Sequence, residues 1–137
     1  MRIALLLLFT LFSMMALADP AADVLNVFSA AADALTNDDS AAFFDNFDRN
    51  MPEYSALRTN IEGLLAAYDV GATIEVVNEE GDDQKQTVEL DWLLLTSEKG
   101  AANGRQQMRR RIVTCHLERR GKQWKITALE PVEFFKY

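Results

Sequence analysis

The sequence predicts an α+β domain: N-terminal helices packed on a curved, four-stranded antiparallel sheet. Three observations predict it. Apolar residues recur at helical spacing up to about residue 70, and from Ala72 onward the period changes to two. Short polar turns then separate four alternating segments, which suits an antiparallel meander.

Ahead of the domain stands a leader. Arg2 precedes an apolar run from Ile3 to Phe12, and Ala16-Leu17-Ala18 places small residues where a signal peptidase cuts. The uncharged stretch Ile3–Ala18 is 16 residues long, short of the roughly 20 that span a bilayer. Residues 1–18 therefore read as a signal peptide, and 19–137 as one domain, exported to a periplasm or beyond. After cleavage no membrane insertion is expected.

The first helix is expected from Asp19-Pro20, an N-cap followed by a proline tolerated at the first helical position. Val24, Val27, Phe28, Ala31 and Leu35 give it one apolar stripe. Asn37-Asp38-Asp39-Ser40 recaps a short second helix carrying Phe43, Phe44 and Phe47, with Asp45 and Asp48 on its polar side. A third helix is expected to start near Asn50, with Pro52 in its first turn. Leu57, Ile61, Leu64, Leu65 and Tyr68 form its buried face, and Gly71 ends it.

The strands follow. Thr73–Asn78 alternates around Ile74 and Val76. Thr87–Thr96 places Val88, Leu90, Trp92 and Leu94 on one face. A segment from about Met108 to Arg119 aligns Val113, Cys115 and Leu117. The last strand carries Trp124, Ile126 and Ala128 and reaches Pro131. Packing the helical stripes over the shared apolar face closes a core.

Charge narrows the partners. The chain has 14 Lys and Arg against 21 Asp and Glu, a formal net charge of −7. Such a chain repels phosphate backbones, so nucleic acid is not an expected partner. Met108-Arg109-Arg110-Arg111 is a basic cluster, but alternation splits it between faces. Glu89 and Asp91 on the neighbouring strand are its expected cross-strand partners.

Cys115 is the lone cysteine, so no intramolecular disulfide forms and it reads as a buried small hydrophobe. His116, the lone histidine, should face outward because its neighbours face inward. Adjacent on a strand, the two cannot share a metal ion. No zinc, calcium or phosphate-loop spacing occurs. No metal and no cofactor are expected.

The closing strand Gly121-Lys122-Gln123-Trp124-Lys125-Ile126-Thr127-Ala128-Leu129 resembles the G-x-W-[KR]-I strand of the nuclear transport factor 2-like superfamily. Three helices followed by long antiparallel strands resemble that superfamily too, over roughly Ala21 to Phe135. The ketosteroid isomerases and polyketide cyclase-like (SnoaL-like) proteins belong to it. Cystatin-like folds are a competing helix-plus-sheet layout.

The resemblance implies a cone whose open end admits a small apolar ligand. Mapped by strand phase, its lining would be Phe44, Phe47, Tyr54, Leu57, Ile61, Trp92, Leu94, Cys115 and Trp124. Aromatics at this spacing more often make a filled core. The isomerase-like members use a buried carboxylate facing a tyrosine and an acid, and no such motif can be placed here residue by residue. Asp45, Asp48 and Tyr54, near the expected mouth, are the nearest substitutes. The acids read more simply as solvated groups at the end of a short helix.

Leu93 and Leu95, in phase with Glu89 and Asp91, and Ile112, in phase with His116, make the outer sheet face partly apolar. Members of the superfamily often pair through that face. A homodimer with Leu93, Leu95, Ile112 and His116 at its interface is therefore expected. Three functions follow: a non-catalytic domain binding a small apolar molecule in the cone, a structural dimerising module with a filled cone, or a proton-transfer enzyme of the isomerase or dehydratase kind.

Overall fold

The structure is a computed structural model that describes residues 20–101 and 104–137. The expected leader, its cleavage site and the Asp19 cap lie outside the described residues. Helix α1 (Pro20–Thr36) buries Val24, Phe28, Ala31, Ala34 and Leu35, the stripe its spacing dictates. The five-residue helix α2 (Ser40–Phe44) is capped by Asp39, whose carboxylate accepts from the Ala42 N–H at 3.0 Å. Helix α3 (Tyr54–Ala67) buries Leu57, Ile61, Leu64 and Leu65.

Strands β1 (Tyr68–Gly81), β2 (Lys85–Glu98), β3 (Gln107–Arg120) and β4 (Gln123–Glu130) form an antiparallel sheet in the order β1-β2-β3-β4. Burial alternates strictly along β2, where Val88, Leu90, Trp92 and Leu94 are inaccessible to water. A bulge between Val76 and Asn78 and another at His116/Leu117 bend the sheet. The β1–β2 hairpin depends on Gly81. Its φ is +144°, and a Cβ there would sit 2.1 Å from the Lys85 carbonyl oxygen.

Four boundaries differ from expectation. Helix α3 ends at Ala67, and Tyr68 is already extended (φ −132°, ψ 149°) as the first residue of β1, paired with Glu98. Gly71 is therefore inside a strand, with Leu95 across from it. The pull of a full-length partner strand overrides the glycine as a stop. Helix α3 also begins after Pro52, not before it, with Glu53 in the left-handed region at φ 62°.

Helix α2 ends at Phe44, so Asp45 and Asp48 do not share a helical face as expected. The segment after it runs beside β4 instead. The Asp48 N–H donates to the Ile126 carbonyl and the Ile126 N–H donates to the Asn46 carbonyl, both at 2.8 Å. Edge pairing of β4 outcompetes another helical turn.

The fourth difference lies past β4. Val132–Phe135 forms a 3-10 turn that buries Val132, Phe134 and Phe135. The Asn60 side-chain amide donates to the Val132 carbonyl at 3.0 Å, and Arg109 Nη1 donates to the Phe134 carbonyl at 3.0 Å and to the Lys136 carbonyl. These bonds fold the chain's last turn back under α3.

Candidate functional site

The cone's interior is solid. The Phe135 ring meets Trp92 edge-on, with centroids 5.0 Å apart, and approaches Phe43 at 6.4 Å. Leu57, Ile61, Trp92, Leu94 and Cys115 all show 0% exposure. No water-sized void therefore opens beside these side chains. Burial of each large apolar side chain is worth about 1.5–3 kcal/mol. Filling the cone therefore stabilises the fold. Burial also pushes the Cys115 thiol far above its ordinary pKa.

At the open end the structure keeps a cleft of about 270 Å³. Helix α2 supplies Ser40, Ala41 and Phe44. The segment after it supplies Asp45, Phe47 and Arg49. Helix α3 supplies Tyr54, Arg58 and Glu62, and β4 supplies Lys125. Phe44 is the floor: its ring is 5.4 Å from Tyr54, edge to face, and 5.7 Å from Phe47.

The charges around that floor differ in their commitments. Arg58 is held by Glu62 one turn on, Nε to Oε1 at 2.8 Å. That bond, with the Tyr54 hydroxyl adding to it, raises the guanidinium pKa. The Lys125 ammonium donates to the Asp45 carbonyl. The Asp45 carboxylate and the Arg49 guanidinium make no hydrogen bond or ion pair with any described residue, including each other.

Asp48 lies outside this cleft. Its carboxylate accepts from the Asn50 N–H at 2.8 Å and from Arg120 at 2.5 Å, which lowers its pKa, the backbone bond contributing most. A carboxylate shifted that way is a weaker base, the reverse of what general-base chemistry near neutrality needs.

Of the residues expected to line a ligand site, Phe44, Phe47 and Tyr54 do meet in the cleft, with the expected Asp45. Trp124 borders a neighbouring groove of about 550 Å³, which shares Asp45 and Lys125 with the cleft. Leu57, Ile61, Trp92, Leu94 and Cys115 are packed core. Sequence reasoning missed Arg49, Arg58, Glu62 and Lys125. Tyr54, Arg58 and Glu62 recur every four residues, a single helical stripe that was open to reading. Arg49 sits in irregular chain and carried no signal.

On the outer face the register sets Leu95 opposite Met108, Leu93 opposite Arg110 and Asp91 opposite Ile112. Arg110 reaches diagonally to Asp91, Nε to Oδ1 at 2.8 Å, the cross-strand pairing expected for this arginine of the basic cluster, whereas Arg109 donates to the Phe134 and Lys136 carbonyls. His116 faces outward, but at the sheet's other end, its Nδ1 3.0 Å from the Thr87 hydroxyl. Among the described residues no three acidic, histidine or cysteine side chains gather as a metal site, and no helix is long and apolar enough to cross a membrane.

Helices over one concave face, a bent antiparallel meander and a cleft at the open end decide the architecture. The chain has the nuclear transport factor 2-like fold. A candidate scytalone dehydratase from Novosphingobium aromaticivorans superposes with a TM-score of 0.69 at 9% identity, covering 80% of this chain and 80% of that one. A candidate dehydratase of the NTF2-like family from Streptomyces avermitilis gives 0.62 at 10% identity, over 80% of this chain and 93% of that one. A protein of unknown function from Mycobacterium tuberculosis gives 0.67 at 12% identity, over 80% and 68%. No family model and no curated protein matches the sequence. At these identities the likeness is one of nuclear transport factor 2-like fold, and the site must be read from its own residues.

Proposed function

We propose that this is an exported, non-catalytic binding domain that takes a small, partly apolar molecule at the open end of its cone. The observation that carries it is the contrast within the cone. Phe135 and Trp92 fill the interior, while Phe44 and Tyr54 floor a cleft that water can enter. This moves the expected ligand from the interior to the mouth. The dehydratase reading of the structural neighbours is less well supported, because Asp48 is tied to Arg120 and Asp45 is exposed. Neither has the desolvated setting that tunes a catalytic carboxylate.

The test is native mass spectrometry of the protein purified from its own host, followed by amide-shift mapping with whatever is retained. A retained small molecule that perturbs Ser40, Ala41 and Arg49 supports the reading. A ligand mapping only to the sheet's outer face would overturn it. The same protein sample tests export, since mature protein beginning after Ala18 is the expected product.

A second reading concerns that outer face. Met108 is 69% exposed and Ile112 49%, beside the half-buried Leu93 and Leu95. This apolar strip favours a homodimer built sheet to sheet. Sedimentation at rising concentration should show it.

A further inference from the structure

We infer that the mouth cleft is built for a free aromatic amino acid, recognised as a zwitterion. The inference rests on the binding reading above and adds the ligand's chemistry. Three features of the cleft carry it.

The first is the pair of uncommitted charges. Arg58 is occupied by Glu62, and Lys125 by the Asp45 carbonyl. Lys125 keeps its charge, because that carbonyl is neutral, but one carboxylate, Asp45, and one guanidinium, Arg49, stand in the same cleft without a side-chain partner among the described residues. Opposite charges this close in sequence could join each other, yet they do not. A ligand carrying both signs satisfies both at once: its ammonium donates to Asp45, and its carboxylate accepts from Arg49. A guanidinium suits a carboxylate in particular, because its planar fork can donate two parallel N–H bonds.

The second feature is the floor. Phe44 and Tyr54, both half-buried and 5.4 Å apart edge to face, present part of their rings, and the buried Phe47 backs Phe44 at 5.7 Å. A third ring stacks there in the offset or edge-on geometry aromatic pairs prefer. The third is size. About 270 Å³ lies just below the usual range of ligand sites. It suits one ring on a short stem.

The experiment is calorimetric titration of the mature protein with four probes sharing one ring: phenylalanine, 3-phenylpropionate, 2-phenylethylamine and 2-phenylethanol. Phenylalanine should bind most tightly. Each single-charge probe should bind roughly tenfold or more weakly, the scale of one lost charged hydrogen bond. Alanine, lacking the ring, should not bind measurably.

Two variants sort the contacts. Asp45→Asn should weaken phenylalanine and 2-phenylethylamine and leave 3-phenylpropionate unchanged. Arg49→Gln should weaken phenylalanine and 3-phenylpropionate and leave 2-phenylethylamine unchanged. Both positions are exposed, and the wild-type probe series stands without them should either variant misfold. If all four ring probes bind equally, the zwitterion inference falls while binding at the mouth survives. If none binds, or amide shifts map away from Ser40 and Ala41, the inference and the reading beneath it fall together.

Discussion

The interior and the mouth of the cone use aromatic residues in opposite ways. In the interior Trp92 and Phe135 stack edge to face, both fully buried, and Phe43 joins them to the Phe44 and Phe47 rings at 5.0 and 4.9 Å. At the open end Phe44 and Tyr54 keep part of their surface exposed and stand among ionised side chains. The difference teaches that a concave sheet is not itself a pocket. Here the chain's own last turn, held by Asn60 and Arg109, occupies the space a ligand would need.

Phe135→Ala is the sharpest way to break that contrast. Truncating a fully buried phenylalanine should cost about 3–5 kcal/mol, read from denaturant unfolding. The vacated volume should also let a small apolar probe such as benzene raise the melting temperature. Phe44→Ala at the mouth should cost distinctly less, because its ring is only partly desolvated. Equal costs would mean that interior and mouth are one continuous core.

Gly81→Ala tests the frame that shapes the cone. With φ at +144° and the Lys85 carbonyl in the way, it should lose about 1–3 kcal/mol and expose the β1–β2 amides to hydrogen exchange.

Acid should act on surface carboxylate contacts before it reaches the interior. The pKa values of Asp48, Asp82 and Asp91 are lowered, chiefly by the Asn50 N–H, the Gln84 N–H and Arg110 in turn. Each then contributes stability that is present above the unfolded value near 3.8 and lost as pH falls through the lower folded value. The unfolding midpoint should decline below about pH 4, and Asp48→Asn should flatten that decline.

The smallest effect belongs to the outer face. Ile112→Glu should change monomer stability by no more than about 0.5 kcal/mol yet abolish concentration-dependent association. A wild-type protein that sediments as a monomer at high concentration would end the dimer proposal outright. Cys115, by contrast, should react with a thiol reagent only as fast as the protein unfolds, since burial holds it as a neutral thiol.

Much of this was legible in the chain. The period-two pattern of Val88, Leu90, Trp92 and Leu94 places them inward by pleat geometry alone. The same rule sends Cys115 in and His116 out. The stripe on α1 follows from its spacing in the same way. Local composition also put Phe44, Phe47, Tyr54 and Asp45 near one another, because they lie close in sequence around one short helix. Those are properties of neighbours along the chain, and the sequence alone determined them.

Only the tertiary structure decided whether the cone was open. Phe135 lies 43 positions from Trp92 in the numbering, and nothing local says that the last turn folds back beneath α3. The end of α2 was likewise decided at long range, by the edge of β4 claiming Asn46 and Asp48. Arg49 and Lys125 reach one cleft through the same contact. Periodicity reports which side of an element is apolar, but what that side meets depends on contacts between distant segments, and these carry no local mark.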